Sequence, residues 1–462
     1  MATNTNIQKV SMQEKLSYGA GDFATGIVWH VSSMFLMFYY TMVIGLNPAT
    51  IGTIIFASKI FDGVTDIGMG FIVDKTHSKY GKARPWLLWG AIPFLISGIL
   101  LYTVPDVSTG WQLVYITISY NLLSFAYTAV NIPYGTLASL ITQDQYERSV
   151  LNVSRMLFST FAGLIAGMGT LAIVKVLGDG QKGWITMAII FSAVGFVCLM
   201  LCFKNTKERV KPAIKELEDR KIPFKLSMKF LFRNKYWLLI LALFLVQNTG
   251  NGVGTAVSTF FVAQVAQVGE SMSTESLMML LTFTKIVPSV IAMLVSLPLV
   301  KRFGKRNVAI IGMVVSLVGC FIIFIDPYSI SLIIITNVIK GAGGSALVAV
   351  MFALLADTIE YGEWRNGVRT EGLVYSAGSF GAKVGTGFGA AVVGWMLAGS
   401  GFISGARVQP ESAQSMIMFI FLWLPIIFDT LMIIILVFYK LDKQFPQILA
   451  DLAAIRESNI TK

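Results

Sequence analysis

Charged residues make up only 13% of this 462-residue chain, about half of what a soluble protein carries to keep its surface in water. A water-soluble globule is thereby excluded. Cysteine is almost absent: Cys198, Cys202 and Cys320 are the only three, all inside apolar runs, so no disulfide framework is implied. The first fifteen residues, Met1 to Lys15, lack a short apolar core ending in small residues. No signal peptide is visible, and the first span is expected to insert itself. The chain has no nucleotide-binding loop, metal cluster or nucleophile–base set. No enzyme and no cofactor are expected, and an ion gradient is left as the driving force.

What is present is apolar. Hydrophobic residues make up 55% and the mean hydropathy is +0.70, enough for about twelve spans of ~20 residues. The apolar residues come in long continuous runs such as 85–105, 183–203, 236–269 and 307–325, not in alternating segments, which excludes an outer-membrane barrel and predicts an all-α membrane protein. Adding spans that hold isolated charges gives helices near 17–45, 49–74, 86–105, 112–136, 152–178 and 184–204, then 236–266, 276–300, 307–325, 331–355, 372–399 and 414–439. The fourth is expected to break at Asn131-Ile132-Pro133-Tyr134-Gly135.

The net charge of +11 reflects basic loops of one sidedness and not a nucleic-acid partner. Lys75, Lys79, Lys82 and Arg84 follow the second helix, Arg148 the fourth, Lys301, Arg302, Lys305 and Arg306 the eighth, and Arg365 and Arg369 the tenth. The opposite connections hold only Lys182 and Arg407. By the positive-inside rule both termini face the cytoplasm, across the inner (cytoplasmic) membrane. One long polar connector, with Glu216-Leu217-Glu218-Asp219-Arg220-Lys221 at its centre, separates an N-terminal bundle (1–204) from a C-terminal bundle with a cytoplasmic tail (236–462), the connector being 205–235. Tyr80-Gly81-Lys82-Ala83-Arg84 after the second helix and Phe303-Gly304-Lys305-Arg306 after the eighth form a pseudo-repeat, as in secondary transporters. Gly70-Phe71-Ile72-Val73-Asp74-Lys75 resembles the loop signature of the major facilitator superfamily, whose charges would latch the halves on the cytoplasmic side; ordinary positive-inside loops are the alternative.

Ionisable residues inside spans cost about 2.5–3.5 kcal/mol each on insertion scales and so need a reason. Lys59, Asp62 and Asp66 share one face of the second helix, the carboxylates one turn apart, with Thr65 nearby. A proton or a metal ion would relieve the repulsion; a structural triad is the alternative. Asp22, with Trp29 and His30 about two turns on, offers a carboxylate beside aromatic rings, a usual way to hold a sugar. A helix-end charge, a packing Trp and an interior His are the plainer readings. Arg155 lies near the start of the fifth helix, and Lys383 stands among Gly381, Gly385 and Gly389, whose spacing makes a smooth packing face. Gln247, Asn248 and Asn251 could line a cavity or bond helices together. Lys285, Lys340 and Asp429 also sit in apolar segments, their partners unreadable and Asp429 expected to be peripheral.

The chain resembles the glycoside–pentoside–hexuronide:cation symporters, relatives of the melibiose carrier within the major facilitator superfamily. The resemblance is carried by Lys15-Leu16-Ser17-Tyr18-Gly19 leading to Asp22, by Asp62-Gly63-Val64-Thr65-Asp66, by Tyr80-Gly81-Lys82-Ala83-Arg84-Pro85-Trp86, by Asn131-Ile132-Pro133-Tyr134, and by Leu355-Ala356-Asp357-Thr358-Ile359-Glu360-Tyr361-Gly362-Glu363. It implies twelve transmembrane helices in two pseudo-symmetric six-helix bundles and import of a sugar with H⁺ or Na⁺ by alternating access. It further implies a cation site at Asp62, Asp66, Thr128 and Asn131, the two carboxylates being the metal ligands if the ion is Na⁺. Sugar contacts would come from Asp22, Trp29, Asn131, Tyr134, Arg155 and Lys383, and a cytoplasmic gate from Asp74, Lys75, Arg84 and Glu363. Asn131 and Gly135 stand where the melibiose type has Asp and Trp, which weakens the case for Na⁺ and for an α-galactoside. The expected partners are a small sugar or glycoside, a monovalent cation and the bilayer, with the protein a monomer. A sodium-coupled lysolipid carrier is the second reading and a non-transporting membrane sensor the third.

Overall fold

The structure, a computed structural model, describes residues 10–142, 144–209, 229, 231–266, 272–366 and 371–460. The centre of the long connector, Glu216 to Lys221, and Arg369 lie outside the described residues, as do the side chains of Asp74 and Lys75. Among the described residues every regular element is helical. The first six long helices are α1 (Met12–Phe38, continued by a π turn Tyr39–Val43), α2 (Pro48–Lys75), α3 (Arg84–Leu100), α4 (Thr109–Ile141), α5 (Gln145–Val176) and α6 (Gly180–Asn205). Then come α7 (Lys235–Gln264), α8 (Thr274–Phe303), α9 (Lys305–Ile322), α10 (Ile330–Asn366), α11 (Glu371–Gly399), α12 (Glu411–Phe438) and α13 (Leu441–Ile460).

Among the described residues, ten helices are long and apolar enough to cross a membrane. At the second and third expected spans, α2 carries Lys59, Asp62 and Asp66 in its middle, and α3 is apolar but has only 17 residues. Large apolar side chains such as Trp111 (69% exposed) and Leu294 (63%) stand on the outside, as expected where the surrounding solvent is lipid.

Local sequence sets the helix starts. Ser11 Oγ accepts from the Glu14 N–H at 3.2 Å, Asn47 Oδ1 from Ala49 and Thr50 ahead of Pro48, and Asp144 Oδ1 from Glu147 at 2.8 Å; each supplies a partner that the first turn lacks. Two helices outrun their apolar segments: α5 begins at Gln145 and α10 continues through Asp357 and Glu363. Hydropathy marks only the part in lipid, whereas the backbone ladder continues as long as capping and packing support it. The expected break at Asn131–Gly135 does not occur, since α4 runs through Pro133 to Ile141. A proline inside a packed membrane helix removes one bond of the ladder, here to the Ala129 carbonyl, without ending the helix.

The chain divides into two compact units, one of residues 1–216 with 403–407 and one of 217–402 with 408–462. In the first, α1 packs on α5 and α6, and α4 on α2 and α3. In the second, α7 lies against α11 so closely that a Cβ on Gly385 would stand 2.7 Å from the Leu245 carbonyl; the Gly381/385/389 stripe allows this approach. The second unit's core joins Trp237, Leu243, Leu354 and Tyr439. Residues 441–460, expected as tail, form α13, which contributes Ile448 and Leu452 to that core, while Trp364 Nε1 donates to Asp451 at 2.9 Å.

The pseudo-repeat has a structural counterpart. In the first unit Arg84 Nη2 donates to the Phe203 carbonyl near the end of α6 at 2.7 Å, and Glu208 accepts the N–H groups of Lys82, Ala83 and Arg84, each at 2.8 Å. In the second, Arg306 donates to the Leu436 and Val437 carbonyls at the end of α12 (2.7 and 2.8 Å), and Asp442 accepts the Arg306 N–H at 3.1 Å. In each half a cation closes a helix C-terminus and a carboxylate closes a helix N-terminus, the arrangement that peptide dipoles favour. Gly81 belongs to this cap. Its φ of 110° suits glycine, and a Cβ there would collide with the Glu208 carboxylate. Arg209 continues the tie through Glu14, at 2.8 and 2.9 Å, and that bonded carboxylate holds the guanidinium pKa above its usual value. Glu208→Ala leaves three N–H groups uncapped and is expected to cost about 1–2 kcal/mol, read as a lower melting temperature of the purified protein; Glu208→Gln should lower it by less.

Candidate functional site

The charged face of α2 meets α4 within the first unit. Asp62 is fully buried and Lys59 is 4% exposed. The Thr128 hydroxyl of α4 stands between the carboxylates, 3.1 Å from Asp62 Oδ1 and 2.8 Å from Asp66 Oδ1. A hydroxyl has a single hydrogen, so it can donate to one of these oxygens at a time. Lys59 Nζ lies 4.0 Å from Asp62 Oδ2 and 3.5 Å above the Trp29 ring of α1. Thr65, expected to offer a ligand oxygen, turns its hydroxyl to the Asp62 carbonyl at 2.9 Å. The Lys59, Asp62 and Asp66 side chains together carry a formal charge of −1, which a monovalent cation or a proton would cancel.

A second pair joins α1 and α5. Arg155 Nε of α5 is 3.2 Å from Asp22 Oδ1 of α1, with side-chain exposures of 30% and 13%. Asp22 lies nearly three turns into α1, so it is no helix-end charge. Close approach of α1 to α5 and α4 rests on small residues: a Cβ on Gly19 would come within 2.6 Å of Ser154 Oγ, and one on Gly21 within 2.6 Å of the Tyr134 ring. Tyr134 stacks on Tyr18 at 4.7 Å, donates to the Tyr18 carbonyl at 2.6 Å, and carries the Arg155 guanidinium 5.0 Å from its ring centroid. A Cβ on Gly135 would sit 3.7 Å from Arg155 Nη1, so glycine here keeps space beside the guanidinium. Asn131, between Thr128 and Tyr134 on α4, has a buried Oδ1 with no hydrogen-bond partner among the described residues, an acceptor waiting for a donor.

Trp29 is less open than the sequence suggests. It stacks on Tyr127 at 4.4 Å while Lys59 covers it, so both ring faces are engaged and its edge remains. Tyr127 and Tyr120, the latter also beneath Lys59 at 5.8 Å, are site residues that sequence reasoning missed. Their signal was present, because Tyr120, Tyr127 and Tyr134 recur every seven residues along one stripe of α4. His30 packs on the glycines of α1 and α5, Gly26 and Gly163.

Lys383 is half-buried on α11 and Glu363 half-buried on α10, both in the second unit. Arg84 has its described hydrogen bonds inside its own unit. Asn248 Nδ2 donates back to the Phe244 carbonyl at 2.8 Å, whereas Gln247 and Asn251 line a cavity of the second unit. Asp429, expected to be peripheral, is 7% exposed and accepts from Ser316 Oγ at 2.7 Å. Its apolar neighbours in sequence hid the facing hydroxyl on α9.

Residues 17–443 match the family described as MFS/sugar transport protein. The chain is 34% identical to the isoprimeverose transporter of Lactiplantibacillus pentosus, over 96% of this chain and 91% of that protein. It is 32% identical to YagG of Escherichia coli (strain K12), named as a candidate glycoside/cation symporter, over 94% of this chain and 93% of that one. Among solved structures, a bacterial homologue of the lysosomal transporter Spinster superposes with a TM-score of 0.67 at 12% identity, covering 95% of this chain and 97% of that one, a likeness of fold alone.

Proposed function

The chain belongs to the MFS/sugar transport protein family, and from that premise we propose that it is a symporter importing a glycoside, pentoside or hexuronide with one monovalent cation. The observation that carries this reading is the Thr128 hydroxyl held between Asp62 and Asp66. Two carboxylates and an adjacent hydroxyl are hard oxygen donors suited to Na⁺, and the same pair suits a shared proton. The formal charge of −1 with Lys59 favours one cation per cycle. Asn131 supplies an additional oxygen beside the hydroxyl.

Asp22 and Arg155 would hold sugar hydroxyls, the carboxylate accepting and the guanidinium donating, with Tyr134 behind the guanidinium and the Trp29 edge beside it. Lys383 completes the sugar contacts in this reading, and Asp74, Lys75, Arg84 and Glu363 form the cytoplasmic gate. Because α4 carries Thr128 and Asn131 on successive turns, a cation that draws in Thr128 also alters Asn131. Sugar affinity then rises with cation occupancy, and by linkage sugar raises cation affinity by the same factor. A polar pair such as Asp22–Arg155 favours a polyol over a lysolipid. The protein would work as a twelve-span monomer in the inner membrane with both termini cytoplasmic, exposing the site to each side in turn.

Uptake of labelled isoprimeverose, a β-xyloside, a β-glucuronide and melibiose, in vesicles with an imposed Na⁺ or H⁺ gradient, tests the reading. Accumulation driven by one ion is the expected result and names substrate and ion together. Equilibration without accumulation, under both gradients, would remove the symport mechanism.

A further inference from the structure

Three ionisable residues without a role in sugar or cation binding meet in the second unit. A partly open cavity of about 160 Å³ is bordered by α7, α8, α9, α10 and α12, and exposed Lys285, half-buried Lys340 and buried Asp429 all line it. They come from three different helices, so no local pattern announces the meeting. Asp429 is satisfied on its own side, accepting from Ser316 Oγ at 2.7 Å and from Cys320 Sγ at 3.7 Å. Lys340 lies within electrostatic reach of both Asp429 and Lys285, yet among the described residues neither ammonium has a hydrogen bond or a direct ion pair. Two lysines and one carboxylate carry a formal charge of +1 in a region where each charge is expensive.

A second observation points the same way. Thr336 of α10 is 4% exposed and lines the cavity, and its Oγ1 is buried with no hydrogen-bond partner among the described residues. A helix-interior threonine ordinarily bonds back to the carbonyl four residues earlier, as Thr282, Thr284 and Thr386 do here. Thr336 keeps a free donor instead. The Asn251 side chain of α7 adds an amide to the same wall. Two ammonium groups, a hydroxyl and an amide on the wall of one cavity form a set of donors with positive excess, and what such a set takes is an anion.

We propose that this cavity is a binding site for a small monovalent anion, halide or short carboxylate, held by Lys285, Lys340 and Thr336. A cavity of about 160 Å³ admits an ion of that size together with waters. The anion neutralises the excess charge, draws α8 and α10 together, and stabilises the second unit in proportion to occupancy. The site is independent of the sugar and cation assignments in the first unit.

The test is thermal unfolding of the purified full-length protein in nanodiscs, with NaCl or sodium formate replacing sodium gluconate at constant Na⁺ and ionic strength. The expected result is a saturable rise in melting temperature of about 2–4 °C with chloride and with formate. It should be lost in Lys285→Gln/Lys340→Gln, retained in Lys285→Arg/Lys340→Arg, and shifted to several-fold higher anion concentration in Thr336→Val. A rise that is linear in salt, or equal in the Gln pair and the wild type, is a bulk salt effect and overturns the proposal. A response to glucuronate with none to chloride or formate would place anion recognition with the sugar and overturns it as well. Should the Gln pair fail to fold, the wild-type titration decides by itself, because absence of a saturable response to either small anion refutes the site.

Discussion

Asp62→Asn is expected to lower gradient-driven sugar accumulation at least about 100-fold, equivalent to about 2.7 kcal/mol, while sugar exchange across the membrane continues. The change is nearly isosteric, so the contact between Thr128 and this position can survive with the hydroxyl still donating. What it removes is charge. With Asp62 neutral, Lys59 and Asp66 sum to zero, and the cluster has no net attraction left for a cation. Coupling is lost because cation affinity is lost, and the sugar pair Asp22–Arg155 on α1 and α5 is untouched. Active uptake and counterflow, measured in the same vesicles, separate the two effects. Undiminished accumulation by the variant would remove the cation site from α2. Thr128→Val, which deletes the bridging hydroxyl, should lie between the wild type and Asp62→Asn, and Thr128→Ser should be close to the wild type.

Asp22→Ala is expected to weaken sugar binding by about 2–4 kcal/mol, roughly 30- to 1000-fold in affinity, as when one partner of a buried, hydrogen-bonded charge pair is truncated. Part of the loss is the carboxylate as an acceptor for sugar hydroxyls. The rest is Arg155, which keeps Tyr134 beneath its guanidinium but loses the anion that orients it. Equilibrium binding of a labelled glycoside to purified protein reads the affinity directly, and cation binding in the absence of sugar should be unchanged. A variant that binds sugar as the wild type does would exclude Asp22 from the sugar site. The two substitutions therefore fail in different ways, Asp62→Asn sparing exchange and Asp22→Ala impairing it through weaker sugar binding.

Much of the first unit's site was legible because its parts are local. Lys59, Asp62 and Asp66 lie within eight positions of one helix, and a period of 3.6 residues places them on one face whatever surrounds them. Local logic alone points to Thr65 as the neighbouring hydroxyl; Thr128 follows from the family resemblance, and the packing of α4 puts it between the carboxylates. That pairing spans 62–66 positions of chain and the Asp22–Arg155 pair spans 133; neither distance leaves a periodic trace. The stripe of Tyr120, Tyr127 and Tyr134 could have been found, since it is a spacing. That Tyr127 and Lys59 would cover the faces of Trp29 could not.

The sequence by itself determined residence in the membrane, the helical class, the doubling into halves and the charged face of α2, since each depends on composition or on a short-range period. It determined the paired arginine loops as well, although only the folded chain revealed that Arg84 closes the end of α6 and Arg306 the end of α12. Tertiary structure alone decided that α4 continues through Pro133, that residues beyond Lys440 form a docked helix, and that Lys285, Lys340 and Asp429 share one cavity. These depend on which helix faces cover which, and an apolar span looks the same to a hydropathy window whichever neighbour it meets.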